Sequence, residues 1–245
     1  MRRLSDIICV FRIQLMSMRK ELGPFLLASI VFPSAMYLFA NAVSRTESTA
    51  QAQLRFLAGS IVFSLSLTSI SWLGYLLLEN RFTGRLRLLA TLPLAASSYI
   101  CGFLVFAFVQ ASLGTTALLL LGRFFGVPMR LSLPPLLLVV ALTVLCLCGL
   151  GAVIAARARS FTEGSLLTDA LGAGLVFLAP VYYAPEMMPR WFRGVSQLLP
   201  TVFATRAIET TLRGSYAVRS EVIVLGLMAV VTLTCGFSLT KWREN

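Results

Sequence analysis

The sequence predicts an all-α membrane protein with six transmembrane helices, and three observations predict it. First, 58% of the residues are hydrophobic and 13% are charged, whereas a soluble domain carries about 25% charge. Second, apolar runs long enough to cross a bilayer recur from one end of the chain to the other. Third, the formal net charge of +11 comes from basic residues that collect beside those runs, where anionic lipid and the positive-inside bias place them. Nucleic acid is not expected as a partner, because no basic stripe is interleaved with stacking aromatics.

Residues 1–22 do not read as a span. Leu4, Ile8, Phe11, Leu15, Met18 and Leu22 recur at intervals of four and three and fall on one helical face, while Ser5, Arg12 and Arg19 fall elsewhere. An amphipathic helix lying on the membrane surface is expected. Six spanning runs follow, roughly Pro24 to Val43, Leu54 to Leu78, Ser98 to Leu121, Leu133 to Ala156, Phe161 to Tyr183 and Val222 to Thr240. The first ends in Ala40-Asn41-Ala42, a signal-cleavage pattern. A long tail precedes it and the run is long enough to span, so a retained helix is expected. Ser160 and Glu163 form a capping box ahead of the fifth run.

An even number of spans puts both termini on one side. With the termini cytoplasmic, twelve basic residues lie inside and nine outside, and five of those nine belong to the segment 184–220. That segment is too apolar for a solvated loop and too interrupted for a span. Pro189 suits a first helical turn, Trp191, Val195, Leu198 and Leu199 then share a face, Pro200 breaks the helix, and Gly214 is a plausible C-cap of a second one. Two short re-entrant helices dipping into the outer face are expected, with Tyr182, Tyr183 and Trp191 at head-group level. The whole chain, 1–245, reads as one membrane domain.

Much chemistry is excluded. The chain has no histidine, which removes the commonest general base and metal ligand. Cys9, Cys101, Cys146, Cys148 and Cys235 all sit in apolar surroundings and read as small hydrophobes, with no metal site expected. Lys20 precedes Glu21 and Lys241 precedes Trp242, so neither lysine completes a phosphate-binding loop. No charge lies at the centre of a span, where an ion relay would need one. Asp169, about two turns into the fifth run, either touches a substrate or pairs with Arg157 or Arg159. Ser60, Ser64, Thr68 and Ser71 form a polar stripe in the second run that either lines a cavity or lets helices pack closely.

Between the second and third runs stands ENRFTGRLRLLATLP, residues 79–93. Read as one short helix, it puts Phe82, Leu86 and Leu89 on one face and Thr83, Gly84 and Arg87 opposite. Gly84 would admit another backbone, and Pro93 would end the helix and turn the chain back to the membrane. Such a helix is shaped to dock in a groove of another protein.

The run Glu79…Gly84-Arg85-Leu86…Leu89…Thr91-Leu92-Pro93 resembles the E-x-x-x-G-T-L-x-x-L-x-x-T-P stretch of type-2 permease subunits of ATP-binding-cassette (ABC) exporters. Pro180…Pro185…Pro189-Arg190-Trp191…Leu199-Pro200…Arg206 is similar to that family's proline-rich stretch between its last two spans. Glu79 stands one residue farther from the glycine than usual, and Arg85 and Arg87 occupy the place of an acid.

The resemblance implies a half-transporter that is not itself an enzyme. Its partners would be two ABC ATP-binding subunits holding ATP and Mg, and a second permease chain, identical or similar. The handle at Glu79, Phe82, Gly84, Arg85, Leu86, Arg87, Leu89 and Pro93 would couple to the ATPase. The path would run past Phe63, Ser64, Thr68, Asp169 and Phe177, and an outer gate would include Pro189, Trp191, Pro200 and Arg206. The expected role is export of a lipophilic or amphipathic compound, drug- or lipid-like, across the inner membrane of a prokaryote. Export of a polysaccharide, lipid-linked polymer or cation is the alternative within this class. An ion-driven transporter or channel is the alternative outside it, and a membrane scaffold without transport is a further one.

Overall fold

The structure is a computed structural model, and it describes residues 2–20, 22–43, 50–91, 96–182, 189, 193–194 and 196–239. Among them all regular structure is helical: α1 (Arg2–Lys20), α2 (Leu22–Val43), α3 (Ala50–Phe82), α4 (Arg85–Thr91), α5 (Ala96–Phe124), α6 (Leu133–Arg157), α7 (Phe161–Phe177), α8 (Pro200–Leu212) and α9 (Arg219–Leu239). Five of these are long and apolar enough to cross a membrane: α2, α3, α5, α6 and α9, the last over Arg219–Gly236. The fifth expected span is shorter than its apolar run. Helix α7 has 17 residues, about 26 Å at 1.5 Å per residue, and ends in a turn before Pro180, which cannot continue a helix.

The bundle is built around α3. Over its apolar stretch 78% of residues are buried, against 18% for α2 and 17% for α9, so α3 is the central helix and α2 and α9 are peripheral. Helices α2, α5, α6, α7 and α8 all pack on it.

Small residues set the closest approaches, as they do where lipid supplies no hydrophobic drive between helices. A Cβ at Gly149 of α6 would stand 2.5 Å from the Thr232 backbone of α9, and one at Gly236 would stand 2.8 Å from the Gly149 carbonyl. Thr232 Oγ1 donates to the Cys146 carbonyl at 3.0 Å across the same seam.

Two π-helical turns interrupt the long helices, Leu27–Val31 in α2 and Leu67–Trp72 in α3. The first lies just ahead of Pro33, which has no N–H to give the Ser29 carbonyl. Ser64 Oγ of α3 donates to that carbonyl instead, at 2.7 Å. Gly114 of α5 leaves the room, since a Cβ there would stand 2.7 Å from Ser64 Oγ.

Removing the donor with Ser64→Ala is expected to lower stability by about 0.5–2 kcal/mol, the range for an interhelical hydrogen bond in lipid. Adding Pro33→Ala, which restores an N–H beside Ser29, is expected to recover part of that loss. Thermal unfolding in detergent measures both. A double variant no better than the single one would refute this account of the bond.

Helix α1 forms as expected, and the face it packs on the bundle adjoins the apolar stripe. Val10 and Gln14 are buried on α5, and Phe11 meets Phe106 edge-on at 6.2 Å. Gly102 is the contact point, where a Cβ would stand 2.8 Å from Val10 Cβ. Leu4, Ile8, Leu15 and Leu22 of the expected apolar face are exposed. Sequence periodicity located that apolar stripe. Phe11 and Met18 of that stripe pack on the core beside Val10, and its other members stay exposed, as a face laid on a membrane would be.

Candidate functional site

The junction between α3 and α4 carries several specific contacts. It is not one helix. The α3 helix stops at Phe82, Thr83 caps it, and Gly84 takes a left-handed φ of +76°. The Thr83 amide and Oγ1 both donate to the Glu79 carbonyl, at 2.9 and 2.6 Å. The Gly84 carbonyl then accepts from the Leu88 amide at 3.2 Å and starts α4.

This corrects the single-helix reading of residues 79–93: Phe82 and Leu86 belong to different helices. The glycine also has a reason within the chain itself. Nothing lies within 4 Å of a Cβ placed on Gly84, so in this chain the residue is required for its φ. Glu79 and Arg85 face each other across the turn at 3.1 Å. Phe82 and Leu88 are exposed, and Leu86 is half-buried against the core. The side chains of Arg87 and Leu89, and all of Pro93, lie outside the described residues.

A cleft of about 390 Å³ opens between α1, the end of α3 and α4, with Ile13, Gln14, Met16, Asn80, Arg85 and Leu88 among its walls. Asn80 Nδ2 donates to the Tyr99 hydroxyl at 3.2 Å and holds the end of α3 on α5.

Arg81 is the residue that sequence reading passed over. Its Nη1 donates to the carbonyls of Ala155, Ala158 and Ala156 at 2.7, 3.0 and 3.2 Å. These are the last carbonyls of α6, unsatisfied within the helix and at the negative end of its dipole. The guanidinium carbon also lies 5.3 Å from the Phe82 ring centroid. The only sequence signal was a basic residue at the end of a span, which looks the same as a loop arginine.

Helices α3 and α7 pack face to face. Ser160 Oγ accepts from the Glu163 amide at 3.1 Å, so the expected capping box starts α7, and the Glu163 carboxylate reaches back to the Arg159 amide at 3.0 Å. Phe63 and Phe177 meet edge-on at 6.0 Å, and Tyr75 and Phe161 at 5.1 Å. The polar stripe of α3 is occupied by packing. Ser60 donates to the Phe56 carbonyl, Ser64 to Ser29, and Thr68 to the Ser64 carbonyl. Ser71 lies within the π-helical turn, which shifts the helix out of register, and it donates to the Thr168 carbonyl of α7 instead, at 3.3 Å. Phe177 is exposed beyond its contact with Phe63. Asp169 is exposed on α7 and, among the described residues, forms no ion pair with Arg157 or Arg159.

At the opposite end, Pro200 occupies the first turn of α8 and Gly214, φ +79°, ends it. Thr201 Oγ1 donates to the Leu175 carbonyl at the end of α7. Arg130 and Ser132 donate their amides to Leu212 and Thr211 and tie α8 to the start of α6. The Glu209 carboxylate pairs with Arg213 and lies 3.8 Å from Arg55 near the start of α3. Arg206 is exposed, and so is Pro189. Trp191 and Val195 lie outside the described residues, so their expected shared face with Leu198 does too.

No curated protein matches the chain. Residues 7–212 match the family model described as ABC-2 type transporter, a span that takes in α1, the α3–α4 junction and α8. The match covers most of the chain, so the protein belongs to the ABC-2 type transporter family, as a membrane-spanning permease component of an ABC transporter.

Proposed function

We propose that this permease exports a lipophilic or amphipathic compound from a prokaryotic cytoplasm, driven by ATP and Mg bound on two separate ATP-binding subunits. Members of the family normally work with such subunits. The observation that carries the substrate class is the character of the bundle interior: among the described residues, the buried polar side chains are serine, threonine, asparagine or glutamine. An ion-driven mechanism would call for buried ionisable groups.

In this reading six segments cross the inner membrane, with α7 as the fifth, and both termini and the α3–α4 junction are cytoplasmic. Helix α8 is re-entrant on the outer side and serves with Pro189, Trp191 and Arg206 as the outer gate. The ATPase docks on the cleft between α1 and α4. A second permease chain, identical or similar, faces α7 across the path. Phe177 and Asp169 are the exposed members of the expected path set and line it. Phe63 supports Phe177, and Ser64 and Thr68 hold the inner helices.

The test is reconstitution of the chain with its ATP-binding partner in vesicles, following ATP-dependent movement of lipophilic dyes. Conduction of ions by the purified chain without nucleotide would refute the proposal, and ATP-driven movement of a polymer or cation in place of dyes would refute the substrate class. Within the same assay Asp169→Asn is expected to change which dyes move, by about ten-fold in relative rate, the scale on which a lost charge-assisted contact registers. Membrane abundance is expected to stay unchanged. An unaltered dye profile removes Asp169 from the path.

A further inference from the structure

We propose that Arg81 is the positioning residue that carries movement of the handle into α6 and α7. The inference rests on the coupling role of the α3–α4 junction. Besides the Asn80–Tyr99 bond to α5, two contacts mark this junction, and they differ in kind. Glu79 and Arg85 pair across the Gly84 turn with Arg85 half in solvent, a class of ion pair that holds little. This contact lets α4 pivot on α3.

Arg81 sits three residues before the glycine, on the α3 side of the pivot. Its Nη1 meets three carbonyls of another helix end at 2.7–3.2 Å. A charged donor on several carbonyls is the stronger bond, and it binds α3 to a segment that is distant in the chain. Ala158, one of the three acceptors, is the C-cap of α6. Two residues later Ser160 is the N-cap of α7, locked by Glu163. A displacement of the α3 end is therefore delivered through Arg81 to the end of α6 and the start of α7 together.

All three bonds leave one nitrogen, Nη1, so they depend on its charge and on its reach to the helix end, not on the guanidinium's planar fork. A lysine ammonium keeps the charge as a compact point with three donors.

The experiment uses the full complex with its ATP-binding subunits and needs no substrate. A fluorophore is attached at Leu166→Cys, an exposed position on α7, in a background lacking the other cysteines, and the signal change on adding ATP is recorded together with ATP hydrolysis. In R81Q, ATP hydrolysis and complex assembly are expected to persist while the signal change falls about five-fold or more, the lower end of typical coupling between sites. In R81K, which keeps a charged donor, a larger change than in R81Q is expected. A full-sized change in R81Q overturns the proposal. So does a change in R81K no larger than that in R81Q, and so does a fall in ATP hydrolysis that tracks loss of folded complex. If the complex with Arg81 intact shows no ATP-dependent change at all, the coupling reading of the junction fails first.

Discussion

Leucine in place of Gly149 is expected to leave almost no folded protein in the membrane. The glycine faces backbone. A Cβ there would stand 2.5 Å from the Thr232 carbonyl carbon and Oγ1 and 2.7 Å from the Leu233 nitrogen. A flexible side chain could swing away from such a contact, but helical backbone cannot. Helices α6 and α9 would have to separate, which breaks the Thr232–Cys146 hydrogen bond and opens the Gly236 contact with the Gly149 carbonyl. Overpacking alone costs about 1–3 kcal/mol and at times more. Here it also removes the largest contact that α9, otherwise mostly exposed, makes with the bundle.

Gly226, on the same helix, is the control, because nothing lies within 4 Å of a Cβ placed there. Gly226→Leu is expected to behave like the parent. The measurement is the monodisperse peak and unfolding temperature of a fluorescent fusion after detergent extraction. Equal behaviour of the two leucine variants would refute the close seam between α6 and α9.

At Gly84 the expected result is a ranked series: asparagine close to the parent, alanine intermediate, valine worst. The ranking follows from φ +76°. Left-handed backbone costs an ordinary L-residue about 1–2 kcal/mol, is visited most readily by asparagine after glycine, and is most strained for a β-branched side chain. Were the glycine needed to admit a partner's backbone, the order would follow size, and asparagine would do worse than alanine. Valine is expected to re-aim α4 and reduce transport about ten-fold while ATP hydrolysis continues, since 1–2 kcal/mol is a factor of roughly 5–30 in any balance between states. Transport and hydrolysis measured together on the reconstituted complex give the ratio that decides it. Normal transport by the valine variant would end the assignment of this junction as the handle.

What could be read along the chain was whatever neighbouring residues decide among themselves. Apolar runs located the long helices. Ser160 and Glu163 marked the start of α7, Pro200 the start of α8 and Gly214 its end. Each of these is a contact within a few residues, so spacing alone specifies it.

The rest depended on partners distant in sequence. Helix α1 turns Val10 and Gln14 inward because Gly102 of α5 admits that face, and a helix read alone cannot show which of two adjoining stripes meets a gap. The α3 stripe divides, Ser64 toward α2 and Ser71 toward α7, because a π-helical turn shifts the register between them, and a 3.6-residue repeat assumes no such shift. The chain continues as a turn at Gly84 and not as a helix through it, although Phe82 and Leu86 have helical spacing. Arg81 finds its acceptors more than seventy residues away, at the end of α6. Hydrophobic periodicity and capping are local free energies and are written in the sequence. Helix phase and the pairing of a charge with an open helix end depend on what the folded bundle brings alongside, so only the tertiary structure could decide them.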